Sequence, residues 1–260
     1  MYETILIEKK NHVAILTIGR PEKLNAMNLQ LKKELHQALN ELEADDDVQA
    51  VIMTGAGRAF SVGHDVSASH SELEEFTNLE EEERLLSFDK PIIAAVNGYA
   101  LGDGLQQALL CDILLASDDA IFGFVGPRVG GVCHVAIWAL PAMVGWKKAS
   151  ELLLTCDQIT AEEAYRIGLV NKVVPPEQLM PAALEMAEKM MKSAPLSIKY
   201  TKQGLRRGLF DADMKSFVQE AIRATLGSED HQQALRALMD KMAPVFRGRL
   251  AVTDINEEIK

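Results

Sequence analysis

Two glycine-rich turns are the parts of this sequence whose residue types and spacing could do chemistry. One is Phe60–Asp65 (FSVGHD), and the other is Asn97–Gly104 (NGYALGDG), which leads directly into an apolar helical pattern. Glycine lets the backbone approach a ligand closely, and the first N–H groups of a helix have no partner inside it. Such N–H groups favour negative charge, either of an anion or of an oxyanion formed during a reaction. The alternative for each turn is a tight connection without chemistry.

The elements that must position these turns alternate between strands and helices. Pro91–Val96 is typical of a buried strand, and the apolar pattern of Leu105–Leu115 predicts a helix. Further strands are predicted at Thr4–Glu8, His12–Ile18, Val48–Thr54, Ala120–Phe124 and Leu169–Val174. Further helices are predicted at Asn28–Leu42, from near Cys133 to Leu154, after the capping box Thr160–Glu163, and from Pro181 to about Met242. This order predicts an α/β fold over residues 1–175, with an all-helical region beyond about residue 195.

Composition and charge exclude several classes of function. The chain has 260 residues, 48% of them hydrophobic and 25% charged, which is ordinary for a soluble globular protein. A net charge of −11 argues against a nucleic-acid partner, because phosphate backbones are bound by clustered Lys and Arg. Much of that charge lies in the glutamate-rich run Glu72–Glu83, which is interpreted as a solvated helix face or mobile loop.

Targeting and metal-binding signals are not expected in this sequence. No apolar run approaches the ~18–20 residues of a membrane span, and the first ten residues do not resemble a signal or transit segment. Cys111, Cys133 and Cys156 are odd in number and lack CxxC spacing, so they are interpreted as reduced thiols and not as disulfides or zinc ligands. We therefore expect a cytoplasmic protein with no membrane partner and no metal site.

Four segments together resemble one known family. They are Arg20–Ala26 (RPEKLNA), Ala59–Asp65 (AFSVGHD), Lys90–Gly102 (KPIIAAVNGYALG) and Leu153–Val170, which contains ITAEEA and GLV. Their types, order and spacing resemble the crotonase superfamily, the enoyl-CoA hydratase/isomerase family. The resemblance extends over nearly the whole chain, to about Phe246, and it is more specific for the family than for the reaction.

The resemblance implies a fold and an assembly. The fold is a spiral of repeated β-β-α turns, here residues 1–195, followed by a helical region at 196–260 that makes trimers, often paired into hexamers. It also implies a substrate held as a coenzyme A thioester, with coenzyme A as the carrier and no permanently bound cofactor. The thioester oxygen would lie between the backbone N–H groups of His64 and Asp103, in agreement with the two glycine-rich turns.

The same resemblance implies which residues contact coenzyme A. Matching positions in the first two segments and the C-terminal region are Lys23, Leu24, Val62, Asp65, Val66 and Lys241. Lys241 would reach the coenzyme phosphates of a neighbouring subunit, and the residue after it is Met242 where relatives often have Arg.

The sequence departs from the family where hydratases place their two catalytic glutamates. Gln106 occupies the first of these positions and Gly126 the second. A neutral amide can orient water but cannot take a proton near pH 7. Asp103 replaces the middle glycine of the usual Gly-Gly-Gly turn, and its side chain either points away and caps the helix or serves as an acid/base. The usual acid/base pair is therefore absent.

The remaining candidates leave three functions open. His134 falls, by gapless alignment, where a dehalogenase of the superfamily has its nucleophilic aspartate, and a histidine there could exchange protons near neutral pH. The first hypothesis is an enzyme that stabilises a thioester enolate, with His134, Asp103 or a Gln106-held water carrying the proton. The second is an acyl-CoA decarboxylase or C–C bond-cleaving enzyme, because the His64 turn is similar to that of methylmalonyl-CoA decarboxylase. The third is a catalytically degenerate acyl-CoA-binding subunit.

Overall fold

Two sheets form the frame of the chain in a computed structural model that describes residues 2–65, 79–206, 212–242 and 244. The larger sheet has the strand order β1-β2-β3-β5-β7-β10, and the smaller has the order β4-β6-β8-β9. The strands are β1 (Ile5–Lys10), β2 (Val13–Ile18), β3 (Ala50–Gly55), β4 (Ala59–Ser61), β5 (Ile92–Val96), β6 (Tyr99–Leu101), β7 (Ile113–Ser117), β8 (Ile121–Gly123), β9 (Ile159–Thr160) and β10 (Lys172–Val174).

The two sheets are built by a repeated chain path. The first strand of each repeat, β3, β5 or β7, joins the larger sheet, and the next strand, β4, β6 or β8, joins the smaller one. Neighbouring repeats pair in parallel in both sheets, as in Ile52 with Ile93 and Ala100 with Phe122. The mixed α/β fold and its spiral of β-β-α turns are therefore confirmed.

Helices separate and cover the strands. They are α1 (Leu29–Ala44), α2 (Glu80–Ser87), α3 (Asp103–Leu110), α4 (Ala136–Val144), α5 (Trp146–Thr155), α6 (Ala161–Arg166), α7 (Pro176–Met190), α8 (Pro195–Arg206), α9 (Ala212–Leu226) and α10 (Glu229–Met239). The predicted cap at Thr160 is present, since its side chain accepts from the Glu163 amide, and Asn28 likewise caps α1 by accepting from the Leu31 amide. Helix α7 begins at Pro176, five residues before the predicted Pro181.

The prediction of one helix over Leu105–Leu115 is wrong in its second half. Helix α3 ends at Leu110, and Ile113–Ser117 forms strand β7 in the larger sheet. The Asp112 carboxylate accepts a hydrogen bond from the Ile92 amide, and Asn171 Oδ1 accepts one from Leu114. The apolar residues of this segment do not reveal the change from helix to strand, because both elements are largely buried on every side.

The core lies on both faces of the larger sheet. Strand β5 alternates, with Ile93 and Ala95 packed beneath α7 and with Ile92, Ala94 and Val96 facing the main core. This burial on both faces explains the continuous apolar run of a parallel strand. The sheet face that carries Ile92, Ala94 and Val96 also packs against α1 and α3. This packing fixes the start of α3 beside the ends of β4 and β6.

Candidate functional site

The two glycine-rich turns of the sequence lie against each other in the structure. Gly63 has φ +92° and Gly102 has φ +52°, both in the left-handed region that favours glycine. A Cβ placed on Gly63 would lie 3.0 Å from the amide nitrogen of Asp103. A Cβ placed on Gly104 would overlap the carbonyl oxygen of Ser61. Glycine is therefore required on both sides for residues 63 and 103 to come this close.

The first turn is held by residues of the Arg20–Ala26 segment and its neighbour Met27. Met27 donates to Gly63 O at 2.8 Å and accepts from the Asp65 amide at 2.9 Å. The buried Asn25 side chain donates to Ala59 O at 2.7 Å, and Arg20 Nη2 lies 3.0 Å from Asp65 Oδ2. These bonds explain how the Arg20–Ala26 segment positions the Ala59–Asp65 segment.

The second turn opens helix α3. Gly102 donates its amide to Gly123 O at 2.9 Å, which fixes the turn against strand β8. The helix begins at Asp103, so the Asp103 amide is among the helix N–H groups that have no partner within the helix. The start of α3 therefore presents backbone donors beside the His64 turn.

A cavity of about 180 Å³ opens in front of the two turns. Its wall includes His64, Asp65, Asp103, Gln106 and His134. Apolar side chains complete the wall, among them Val62, Val125, Val129, Val132, Ile222 and Leu226. The cavity thus places a few polar groups within a mostly apolar lining, which is the usual make-up of a small-molecule site.

The interpretation of Asp103 as a helix cap pointing away from the site is wrong. Its carboxylate lines the cavity and is 4% exposed, and Gly102 occupies the capping position with no side-chain hydrogen bond. Asp103 Oδ2 lies 2.9 Å from His64 Nδ1, and Oδ1 accepts from Gln106 Nε2 at 2.7 Å. Burial opposes ionisation, but His64, His134 and Lys32 outweigh it and hold the pKa of Asp103 well below its usual range.

Gln106 connects Asp103 to the start of helix α4. Its Oε1 accepts from the Val135 amide at 2.8 Å and from the Ala136 amide at 3.3 Å, while its Nε2 donates to Asp103. The amide oxygen is thus occupied by backbone donors. One N–H of Gln106 is left to orient a water, so the residue primarily fixes the Asp103 carboxylate relative to α4.

His134 lies in the cavity wall between two carboxylates. Its Nε2 is 3.0 Å from Glu82 Oε1, and its Nδ1 is 3.8 Å from Asp103 Oδ1. The side chain is buried, with 4% of the residue exposed. Burial lowers the pKa of His134, but the hydrogen bond to Glu82 and the charges of Asp103 and Glu82 outweigh burial and raise the pKa above its usual value.

The interpretation of the glutamate-rich run as a solvated face is wrong for two of its residues. Glu81 and Glu82 are 7% and 2% exposed, and both face the buried ammonium of Lys32, at 3.4 Å and 3.8 Å. Buried carboxylates require such a partner. Lys32, and then His134, overcome the effect of burial and lower the pKa of Glu82 to about 2.

Glu82 and Lys32 are the site residues that sequence reasoning missed. One signal was present: Lys32 adjoins Leu31 on the apolar stripe of α1 that continues through Leu35 and Leu39. A lysine inside such a stripe predicts a buried carboxylate partner. The length and uniformity of the glutamate run concealed which of its members would turn inward.

Gly126, which the sequence resemblance predicts at the second glutamate position of the family pattern, also borders the cavity. A Cβ placed there would lie 2.8 Å from Cys133 Sγ and 3.1 Å from the Cys133 amide. A side chain at 126 therefore requires Cys133 to shift. Burial raises the pKa of Cys133 to about 12, so its thiol is neutral near pH 7.

Only some of the described residues that are predicted to contact coenzyme A line the cavity. Val62 and Asp65 line the cavity. Lys23 and Leu24 lie in and just after a 3₁₀ turn at Pro21–Lys23, and the Leu24 carbonyl accepts from the Val62 amide at 3.2 Å. Lys241 is exposed beyond the end of α10, and Val66 lies outside the described residues.

The described residues contain neither a cluster suited to a metal ion nor a helix suited to a membrane. No three His, Cys, Asp or Glu side chains within residues 2–65, 79–206, 212–242 and 244 are grouped to hold a metal ion. Within the same ranges, every helix is too short or too polar to cross a membrane.

Comparisons with known proteins all indicate the same family. The model of the enoyl-CoA hydratase/isomerase family matches residues 8–249. A short-chain-enoyl-CoA hydratase of Clostridium acetobutylicum is 40% identical over 256 residues, covering 91% of this chain and 95% of the relative. A crotonyl-CoA hydratase of Syntrophomonas wolfei is 35% identical over 260 residues, covering 94% and 98%.

Solved structures agree with the sequence relatives. An enoyl-CoA hydratase/isomerase from Pseudoalteromonas atlantica superposes with a TM-score of 0.83 at 29% identity, covering 94% of this chain and all of the other. A methylmalonyl-CoA decarboxylase superposes with a TM-score of 0.80 at 28% identity, covering 96% of this chain and all of the other.

Proposed function

Because the chain belongs to the enoyl-CoA hydratase/isomerase family and is therefore an acyl-CoA-processing enzyme, we propose that it stabilises the enolate of an acyl-CoA thioester and uses His134 to exchange a proton with it. Coenzyme A is the substrate carrier in this proposal, and no permanently bound cofactor takes part. The usual pair of glutamates is replaced by a different acid/base set, since Gln106 and Gly126 stand at their positions.

The oxyanion hole of this proposal consists of the backbone N–H groups of His64 and Asp103. Its support is the close approach of the two turns, in which glycine at 63, 102 and 104 is required by backbone geometry. An enolate carries its charge on the thioester oxygen, and fixed amide donors stabilise that charge at no cost of reorganisation. Losing one donor of this kind typically costs ~10²–10³ in kcat.

The observation that carries the proposal is the position of His134. It lines the same cavity as His64 and Asp103, and its buried ring has a carboxylate near each nitrogen. Histidine is suited to proton transfer near neutral pH, and a positioned acid or base typically contributes ~10²–10⁴ in rate. The apolar remainder of the wall suits the hydrocarbon part of an acyl group.

A second candidate is decarboxylation or C–C cleavage of an acyl-CoA. Loss of CO₂ leaves the enolate directly, so the protein needs only an oxyanion hole and one proton donor. His134 between two carboxylates fits a donor, and a solved methylmalonyl-CoA decarboxylase shares the fold over nearly the whole chain.

One experiment separates these reactions. The full-length protein is incubated in D₂O with crotonyl-CoA, butyryl-CoA and methylmalonyl-CoA, and the thioesters are analysed by mass spectrometry. Addition of D₂O across crotonyl-CoA, or deuterium at the α-carbon of butyryl-CoA, supports enolate formation, whereas loss of CO₂ from methylmalonyl-CoA supports the second candidate. Tight binding of all three without any change in mass contradicts both and identifies a degenerate acyl-CoA-binding subunit.

The assembly and location proposed for the chain follow from the family resemblance. We propose a cytoplasmic homotrimer, or a dimer of trimers, formed through the helical region at 196–260, in which Lys23, Leu24, Val66 and Lys241 would contact coenzyme A. Light scattering coupled to size-exclusion chromatography measures the number of copies, and a monomer would contradict the proposed assembly.

A further inference from the structure

A continuous row of buried charged groups runs from helix α1 to the cavity. Lys32 on α1 faces Glu81 and Glu82 on α2, Glu82 contacts His134, and His134 faces Asp103 on α3. Each of these residues is less than a tenth exposed. The family resemblance does not account for Lys32 or Glu82, and the role proposed above for His134 does not require them.

The contacts of the imidazole constrain its protonation. A neutral histidine has one N–H, so it can donate to one carboxylate only, and the other nitrogen presents a lone pair. Here Nε2 lies 3.0 Å from Glu82 Oε1 and Nδ1 lies 3.8 Å from Asp103 Oδ1. A lone pair facing a carboxylate at either position is repulsive, whereas an imidazolium has a proton for each.

The charges within the row also favour the imidazolium form of His134. Lys32 lies 3.4 Å from Glu81 and 3.8 Å from Glu82, so one ammonium faces two carboxyl groups. Glu82 and Asp103 carry two negative charges, and Lys32 supplies one positive charge. A charged His134 adds a positive charge between Glu82 and Asp103, while His64 faces the other oxygen of Asp103 at 2.9 Å. Buried charges are stable only when they are compensated in this way.

We propose that Glu82, kept ionised by Lys32, is a positioning device that holds His134 as an imidazolium, so that His134 begins the reaction as the proton donor to the enolate. Glu82 accepts from Nε2 throughout and fixes the ring, which leaves the Nδ1 proton for transfer. In the transfer the Nδ1–H bond breaks and its electron pair stays on nitrogen. The enolate C=C pair forms the new C–H bond at the α-carbon, the thioester C=O is restored, and His134 becomes neutral.

Other titratable groups also face this region. Asp65, His64 and His231 line the cavity, Asp65 lies 3.0 Å from Arg20 and His64 lies 2.9 Å from Asp103. His231 Nδ1 is 2.8 Å from the carbonyl oxygen of Val129. Cys133, next to His134, is buried and neutral. Of the side chains in the described part of the chain, Glu82 alone is within hydrogen-bonding distance of the His134 ring.

The test is a titration that does not depend on turnover. The imidazole of His134 is followed by NMR of the full-length protein with labelled histidine, and its signal is assigned by its loss in His134→Gln. We compare the wild type with Glu82→Gln, an isosteric change that removes one charge, and with Glu83→Gln as the matched control. Glu83 is the next residue on α2 but faces Lys215 near the surface.

The expected result is a charged His134 at pH 7 in the wild type and in Glu83→Gln, with the midpoint lowered by about one pH unit or more in Glu82→Gln. In Glu82→Gln, kcat should then decrease at a lower pH than in the wild type, because His134 loses its proton earlier, while KM stays unchanged. A neutral His134 at pH 7 in the wild type, or an equal midpoint in Glu82→Gln, would overturn the inference.

This inference rests on the proposed role of His134 in proton exchange, but different results would contradict that role and the charged state of the ring. If His134→Ala retains full turnover, the proposed proton exchange fails even when the titration shows a charged ring. If Glu82→Gln does not fold, Lys32→Met tests the same device from the other end of the row. Its expected effect is opposite in sign, because removing the ammonium leaves more net negative charge around His134 and raises the midpoint.

Discussion

The backbone of Gly63 lies directly against the amide nitrogen of Asp103, so that a Cβ on Gly63 would stand 3.0 Å from that nitrogen and 3.0 Å from the carbonyl oxygen of Leu101. Real Cβ contacts are seldom this short, and here both neighbours are backbone atoms that cannot rotate away. The separation between the two turns is therefore set by the absence of a side chain at 63. Any addition there moves the amide at 103, which belongs to the proposed oxyanion hole.

Gly63→Ala should reduce turnover strongly while leaving the fold intact. The alanine costs about 1–2 kcal/mol in stability at its positive φ, and displacement of one hole donor should lower kcat by ~10²–10³. Steady-state kinetics with the acyl-CoA that turns over, together with the thermal midpoint, provide the measurement.

Gly145→Ala is the matched control for backbone strain. Gly145 has φ +79°, and a Cβ there meets no atom within 4 Å. It should lose a similar amount of stability and keep its full rate. Equal losses of rate in the two variants would show that backbone strain alone, and not the spacing of the two turns, affects turnover.

His134→Ala should leave thioester binding intact and slow turnover by roughly tenfold or more, because the proposed proton carrier is lost. Binding is measured by calorimetry with butyryl-CoA and turnover by deuterium incorporation. His12→Ala is the control, since His12 is an exposed histidine that contacts the carbonyl oxygen of Asp47. An unchanged rate in His134→Ala removes this residue from the mechanism.

Local sequence patterns predicted most of the framework. The alternation in His12–Ile18, the apolar run before Asn97 and the cap at Thr160 each depend on neighbours within a few residues, and the strands and helix they predict are present. The change from helix α3 to strand β7 was not predicted, because Leu105–Leu115 is mostly apolar and the register of β7 depends on Ile93–Val96, distant in the sequence.

The candidate site was predictable where backbone chemistry determines it. Glycines at 63 and 102 indicated two unusual turns, and both residues have positive φ. The Glu82–His134 contact joins residues 52 positions apart, and nothing in a run of similar glutamates distinguishes the one that is buried. The orientation of Asp103 likewise depends on His64, His134 and Gln106 meeting it in space.

Gln106→Glu should not restore a glutamate-type active site. The new carboxylate would replace an amide whose Nε2 lies 2.7 Å from Asp103 Oδ1, so two buried negative charges would face each other. The pKa of the introduced carboxyl group in the folded state would therefore rise above its unfolded value of about 4.3. The loss of stability should be small near pH 4 and increase as the pH rises towards neutrality.

Urea unfolding of Gln106→Glu at several pH values provides the measurement, with Gln178→Glu, an exposed site in the first turn of α7, as control. A pH-independent loss of stability would show that the new carboxyl group does not face Asp103. Replacing Asp103 with glycine in the same chain should recover most of the stability at pH 7, since it removes the opposing charge.

Glu34→Gln should destabilise the protein at neutral pH and have little effect in acid. The buried carboxylate of Glu34, on the same helix as Lys32, accepts from the amides of Glu3 and Thr4 at 2.8 and 2.7 Å and from Thr4 Oγ1 at 2.6 Å, and it thereby ties the chain before β1 to α1. Burial opposes ionisation, but these hydrogen bonds prevail and lower the pKa of Glu34 to about 2.

A carboxyl group with a lowered pKa in the folded state contributes stability that is fully present above its unfolded pKa and is lost as the pH falls through the folded value. For Glu34 this window extends from about pH 4.5 down to about pH 2. Urea unfolding should show a loss of about 1–3 kcal/mol in Glu34→Gln at pH 7, and the difference from wild type should shrink as the pH falls through that window. Glu8→Gln, an exposed change on β1, should differ little from wild type at any pH, because its side chain is open to solvent. A difference between Glu34→Gln and wild type that stayed constant from pH 7 to pH 3 would show that the side chain stabilises this end of the sheet through packing, and not through its charge.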